Sequence, residues 1–141
     1  MWVVDTCVVL DVFEHDPQFG LPSAKLLEKL LKDGLAVSPI TFVELSAAFE
    51  GDLAEQKRFL DQAGISHAES WTIADGEAAH HAWNAYVQSR RAAKIPKRPV
   101  ADILIGGFAM NRQGLITRNR RFPPLVPKTH DSGTVKNHER C

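Results

Sequence analysis

The feature that most constrains this chain is a carboxylate placed where an apolar strand ends. The run Trp2–Val4 predicts a short buried strand, and Asp5 and Thr6 follow it directly. In an α/β protein, ligands gather at the carboxyl ends of the parallel strands. Acids are seldom buried unless they are paired or bind a metal, so an acid here indicates a binding or catalytic site.

Further polar side chains are predicted at the same edge of the fold. Glu44 and Asp102 lie in apolar runs, about one turn inside helices that we expect to begin at Pro39 and Pro99. Asn119 follows the last predicted strand. Since strand ends and the starts of the following helices share one edge of a parallel sheet, we expect all four polar side chains to converge there.

Strand and helix patterns alternate along the chain, which predicts an α/β fold with three layers and a central parallel sheet of four or five short strands. The predicted strands are Trp2–Val4, Leu35–Val37, Ser70–Ile73 and Gly114–Thr117. Helices are predicted from Val8, at Ser23–Lys32, from Ser38 to about Phe49, at Leu53–Ala63, from Asp75 to Pro96 and from Pro99 to about Asn111. Gly106 and Gly107 inside the last helix predict that another element packs very close.

Length and composition describe one ordinary domain. The chain has 141 residues, 44% of them hydrophobic, and 17 basic residues balance 17 acidic ones, so net charge does not point to a polyanionic partner. We expect one domain over residues 1–127 and a polar tail over 128–141. No apolar stretch approaches the length of a membrane span, and the N-terminus does not read as a signal peptide, so a cytoplasmic location is expected.

A cluster of acids needs a cation to be functional at neutral pH. Neighbouring carboxylates raise one another's pKa. Mg²⁺ offsets the repulsion between the carboxylates, because it is a cation that prefers oxygen ligands. It also lowers the pKa of a bound water and offsets charge on a phosphodiester. Each residue also has a simpler explanation: Asp5 in a turn, Glu44 reaching solvent from a helix flank, Asp102 capping its own helix, and Asn119 in a loop.

Four segments in this order resemble the PIN-domain ribonucleases, and in particular the toxin subunits of VapBC-type toxin–antitoxin pairs. The segments are Val3–Thr6, Val43–Leu45, Ala101–Ile105 and Ile116–Asn119, and the resemblance extends from Trp2 to about Pro127. It implies a PIN-like fold and an endoribonuclease that depends on Mg²⁺ or Mn²⁺. It also implies a homodimer that a small cognate antitoxin protein silences.

The resemblance assigns roles by position. Asp5, Glu44 and Asp102 would be the metal-site acids, and Thr6 and Thr117 supporting hydroxyls, with Thr117 and Asn119 counted in the catalytic set. Asn119 stands where many members have a fourth acid, so it would orient water or phosphate without adding charge. Arg121 and Phe122 occupy the place where many relatives have Asp-Phe.

Basic residues flank the predicted site on two sides. Arg98 precedes Asp102, and Arg118 and Arg120 follow the last predicted strand, where they would contact RNA phosphates without reading the sequence of the bases. Two other functions remain open. One is a catalytically inactive PIN-like module that binds RNA or protein. The other is a phosphoaspartyl hydrolase or transferase that uses Asp5, although that class usually has a second acid two residues later, where this chain has Cys7.

Overall fold

Short strands alternate with helices in the part of the chain that the structure, a computed structural model, describes: residues 1–93, 97, 100–118 and 128–129. The elements are β1 (Trp2–Val4), α1 (Thr6–Phe13), α2 (Gly20–Leu30), β2 (Leu35–Ala36), α3 (Pro39–Glu44), α4 (Leu53–Gln62), β3 (Ile65–Ser66), α5 (Ile73–Ala93), α6 (Val100–Met110), β4 (Gly114–Ile116) and β5 (Lys128–Thr129). A short 3-10 helix, Leu31–Asp33, continues α2. Among these helices none is both long and apolar enough to cross a membrane.

The five strands form one parallel sheet with the order β3-β2-β1-β4-β5. The first strand therefore lies in the middle, and the chain adds strands on one side of it and later on the other. This reversal creates a crevice beside the carboxyl end of β1, which is where open α/β sheets bind ligands. The prediction of a parallel sheet with four or five short strands is confirmed.

The sheet is covered on both faces because its strands are apolar on both sides. Val3 and Val4 are both fully buried and point to opposite faces. Val4 and Ile116 pack with apolar residues of α1, α2 and α4, whereas Val3 and Leu115 pack with residues of α6. The central strands consequently show no apolar–polar alternation, as is usual for parallel sheets between helical layers.

Helix α6 is itself covered by α5, and a glycine permits the contact. A Cβ atom built on Gly107 would lie 2.8 Å from both the Cβ and the backbone N of Ala79. The expectation that another element packs very close to this part of α6 is therefore confirmed for Gly107. This close packing holds the helix that carries Asp102.

Several predicted boundaries were wrong, and two of them by more than a few residues. The third strand is Ile65–Ser66 and not Ser70–Ile73, because Thr72 starts a helix: its backbone N donates to Asp75 Oδ2 at 2.9 Å, and its Oγ1 accepts from Asp75 N at 3.1 Å. The helix expected to reach Phe49 ends at Glu44 and continues as turns. The third strand has only two residues, which is too few to show an apolar periodicity in the sequence.

The last strand lies just past the predicted end of the domain. Strand β5 begins one residue beyond the boundary at 127 and pairs with β4, so the sheet takes in two residues that we had assigned to the tail. Residues 130–141 of the predicted tail lie outside the described residues. The assignment of the rest of the tail stays a prediction.

We predict that Gly107→Ala destabilises the protein by about 1–3 kcal/mol, although alanine is the better helix former, because the methyl group overpacks the contact with Ala79. Gly76→Ala is the matched control on α5: its Cβ would meet only Trp71 Nε1, at 3.4 Å. That control should stabilise the helix by roughly 0.5–1 kcal/mol. Urea unfolding measures both changes, and equal stability of Gly107→Ala and the wild type would contradict the close approach.

Candidate functional site

Asp5 is held rigidly at the carboxyl end of the central strand. Its backbone N donates to Ile116 O at 2.9 Å, which ties it to β4. Its Oδ1 accepts from the backbone N of Thr6 at 2.8 Å, so Asp5 is also the N-cap of α1. The side chain is only 4% exposed. Asp5 therefore combines a helix cap, a sheet contact and a buried carboxylate in one residue.

The cap alone does not account for an acid at this position. The next strand–helix connection uses Ser38 for the same purpose: it is fully buried, and its Oγ accepts from the backbone N of Thr41 at 3.0 Å. Serine and aspartate cap helices about equally well. An uncharged cap would thus serve α1, and the charge of Asp5 indicates a further role.

Thr117 gives Asp5 a second hydrogen bond. The parallel register aligns Val4 with Ile116, so the residues that follow, Asp5 and Thr117, lie side by side at the sheet edge. Thr117 Oγ1 donates to Asp5 Oδ2 at 2.6 Å. Each carboxylate oxygen of Asp5 thus accepts a hydrogen bond from a fixed donor, and this sets the plane of the carboxyl group.

The environment of Asp5 opposes its ionisation. The pKa of Asp5 is raised to about 6, mainly by burial; the hydrogen bonds from Thr117 and from the Thr6 backbone lower it, and the neighbouring carboxylates of Asp102 and Glu44 add to the rise. The electrostatic effect of both acids means that the structure brings the three predicted carboxylates into one neighbourhood. A perturbed buried acid beside like charges is typical of functional sites.

Glu44 reaches this neighbourhood from the last residue of α3. Its side chain is exposed, and its Oε1 accepts a hydrogen bond of 2.8 Å from Thr6 Oγ1. Thr6 Oγ1 also lies 3.1 Å from the hydroxyl of the fully buried Thr41. The two threonines therefore connect Glu44 to the start of α1 and thus to Asp5.

Asp102 lies in the first turn of α6 and is half-buried. The close packing of α6 against α5 fixes the backbone that carries it. The other predicted site residues, Asn119, Arg98 and Arg120, lie outside the described residues, so their roles stay predictions.

The donor set suits a hard divalent cation. Asp5, Glu44 and Asp102 offer carboxylate oxygens, the ligands that Mg²⁺ and Mn²⁺ prefer, and Mg²⁺ usually takes one or two carboxylates and completes its shell with water. Within the described ranges, no three acidic, histidine or cysteine side chains meet closely enough to bind one ion directly. An ion at this edge would therefore be held directly by at most two of these acids and by the others through water.

Arg118, which we had expected to contact RNA, points to a carboxylate of the protein. Its Nε and Nη2 donate to Asp11 Oδ2 and Oδ1 at 2.8 and 2.9 Å, and its guanidinium carbon lies 4.0 Å from the centre of the Phe19 ring. The Ser23 hydroxyl donates to Asp11 as well, at 3.1 Å. Burial raises the pKa of Asp11 even so.

Sequence reasoning missed two buried acids, Asp11 and Asp75. Asp75 is fully buried in the first turn of α5 and accepts from Arg112 and Asn111 at 3.0 and 2.9 Å. Burial opposes its ionisation, but the hydrogen bonds, that from Arg112 above all, hold the pKa of Asp75 below its usual value. A signal for Asp11 was present, because it lies one turn after the buried Cys7 and Val8 on the same helix.

Comparisons with known proteins agree with this architecture. The family model of the PIN domain matches residues 2–125. The fold is similar to that of a chain in the crystal structure of VapBC2 from Rickettsia felis bound to a DNA fragment from their promoter. The two chains share 17% sequence identity with a TM-score of 0.65, and the match covers 91% of this chain and 96% of that one. Among curated proteins none matches this chain.

The pKa of Asp5 predicts a measurable dependence of stability on pH. The folded protein binds the Asp5 proton more tightly than the unfolded chain, with a pKa of about 6 against 3.8. Stability therefore falls as the pH rises from 3.8 to about 6, because the unfolded chain has then lost this proton while the folded protein still holds it. Asp5→Asn removes this penalty. In EDTA it should be more stable than the wild type by about 1–3 kcal/mol near pH 7.5, and this advantage should vanish by about pH 4.

Asp52→Asn is the control, because Asp52 caps α4 through a 3.0 Å bond from Glu55 N but is exposed. It should change stability by less than about 0.5 kcal/mol at either pH. Urea unfolding across this pH range provides the comparison. A stability difference for Asp5→Asn that does not change with pH would show that Asp5 has an ordinary pKa.

Proposed function

The chain belongs to the PIN-domain family, and from this premise we propose that it is a metal-dependent endoribonuclease acting as the toxin of a toxin–antitoxin pair. The observation that carries the proposal is the burial of Asp5 at the point where the strand order reverses, with Asp102 and Glu44 near enough to raise its pKa. The similar fold of a chain in the VapBC2 complex supports the toxin assignment. A cytoplasmic location follows from that role.

Asp5, Asp102 and Glu44 are the residues that would hold Mg²⁺ or Mn²⁺, partly through water. When bound, the ion supplies a water of lowered pKa and offsets the charge that develops on the phosphodiester. The raised pKa of Asp5 in the metal-free protein is consistent with this role, because a cation would favour the ionised carboxylate.

The chain's own hydroxyls orient these acids. Thr117 and the Thr6 backbone hold the two oxygens of Asp5, and the Thr6 hydroxyl holds Glu44. Such orientation matters because catalytic groups must be placed before the substrate arrives. In the proposal Asn119, with Thr117, orients the attacking water or the phosphate, and Arg98 and Arg120 contact the RNA backbone.

We predict that purified, partner-free protein cleaves single-stranded RNA with Mg²⁺ or Mn²⁺ and not in EDTA. Asp5→Asn should lower cleavage by about 100-fold or more, because it removes one charge from the metal site while keeping the shape of the side chain. It should also weaken metal binding in calorimetric titration. Asn119→Ala should lower cleavage less, and Asn119→Asp should strengthen metal affinity.

Asp52→Asn serves again as the matched control, since it makes the same chemical change at another helix cap. It should cleave like the wild type. Equal cleavage in EDTA, or full activity of Asp5→Asn, would contradict the proposal. Binding of RNA without cleavage at any metal concentration would instead identify an inactive PIN-like binding module.

We also propose a homodimer whose site is masked by a small antitoxin. Unrestrained cleavage of RNA would harm the host, and a basic side chain of the partner would satisfy the site acids in place of metal.

Expression from the native operon should therefore yield a complex with a small protein that inhibits cleavage. Light scattering of the isolated chain should give the mass of a dimer. Purification of the chain alone from that operon would contradict the partner, and the mass of a monomer would contradict the dimer.

A further inference from the structure

The segment that follows β4 is anchored to helix α1 at two points. Thr117 donates to Asp5, the N-cap of α1, and Arg118 makes two parallel hydrogen bonds to Asp11 in the same helix. We infer that Asp11 and Arg118 form a positioning pair that holds the Thr117 hydroxyl on the Asp5 carboxylate. The consequence for catalysis rests on the proposed function; the consequence for the metal-free protein does not.

The geometry of Arg118 fits a fixed anchor better than a flexible phosphate contact. Two of its nitrogens are engaged by one carboxylate, its flat face lies over Phe19, and its side chain is 22% exposed. Asp11 is 3% exposed and also holds the Ser23 hydroxyl of α2. The planar fork therefore fixes the direction of the guanidinium, which a single lysine ammonium does not reproduce.

Arg118 is linked to the site through the backbone, by one peptide bond to Thr117. Arg118 directly follows Thr117, and Ile116 before them is held by β1, so the backbone of Thr117 is fixed on both sides. The hydroxyl-to-carboxylate distance of 2.6 Å depends on this placement. Loss of the anchor at Arg118 leaves Thr117 held on one side only.

Stability alone is a weak reason for such a pair. Replacement of a buried ion pair by apolar residues is often neutral or stabilising. Asp75 and Arg112 form a comparable buried pair that joins α5 to the residues after α6 and makes no contact with Asp5 or Thr117 in the described residues. That pair is a matched control, because it has the same chemistry without the connection to Thr117.

The first experiment is a double-mutant cycle on metal-free protein in EDTA, followed by urea unfolding. Thr117→Val should destabilise the wild type, but should destabilise Arg118→Lys less, with a coupling of about fivefold or more in the unfolding equilibrium constant. Arg112→Lys combined with Thr117→Val should show additive effects. Additivity in the Arg118 cycle as well would overturn the inference.

The second experiment separates positioning from RNA binding through the kinetics of RNA cleavage with Mn²⁺. Arg118→Lys and Asp11→Asn should both lower kcat by about tenfold or more and leave the KM for RNA unchanged, since misplaced catalytic groups affect the chemical step. If Arg118 contacts phosphate instead, Arg118→Lys raises KM. In that case Asp11→Asn releases Arg118 and lowers KM without lowering kcat, and these two results together would overturn the inference.

The two experiments distinguish failure of this inference from failure of the proposed function. Coupling in EDTA together with no cleavage by the wild type would overturn the nuclease and support the positioning pair. Cleavage by the wild type without coupling would support the nuclease and overturn the pair. If Arg118→Lys does not fold, the same double-mutant cycle can be measured with Asp11→Asn and Thr117→Val.

Discussion

The structure depends on one placement: a carboxylate buried at the end of the central strand. Asp5 caps α1, pairs with the backbone of β4 and accepts the Thr117 hydroxyl, so it connects three elements of the fold. Burial and two neighbouring acids raise its pKa to about 6. Ser38 caps the helix after the neighbouring strand without a charge. Capping alone therefore does not explain the acid at position 5, and its charge indicates a further role.

Two other buried acids of this chain have an arginine as their partner. Asp75 and Asp11 each meet an arginine that forms more than one hydrogen bond to the carboxylate, and the Arg112 partner lowers the pKa of Asp75. The acids around Asp5 act in the opposite direction and raise its pKa. Asp11 and Asp75 thus have a positive partner within the protein, whereas the charged neighbours of Asp5 are negative, as expected for a candidate ligand of a cation.

The sequence was sufficient to predict the architecture and the edge of the sheet at which Asp5, Glu44 and Asp102 lie; their role as metal ligands stays a prediction. The order of apolar runs indicated a parallel sheet, and the position of Asp5 after the first of them indicated the site edge, because strand ends and helix starts share one edge. It was insufficient for β3, which is too short to show a period. It also missed the partner of Asp11, because Arg118 is distant in sequence and residue types alone do not pair an acid with a particular arginine. Arg118 was accordingly assigned to RNA, whereas it lies on Asp11.

The central claim is that Asp5, Glu44 and Asp102 form one site for a hard divalent cation. Anomalous diffraction from crystals of the partner-free protein soaked in Mn²⁺ near neutral pH tests it most directly. The account predicts a peak about 2.0–2.2 Å from an oxygen of Asp5 or Asp102, with the remaining acids facing its water ligands, and the loss of this peak in Asp5→Asn. A Mn²⁺ peak elsewhere on the protein and none at this sheet edge would contradict the claim.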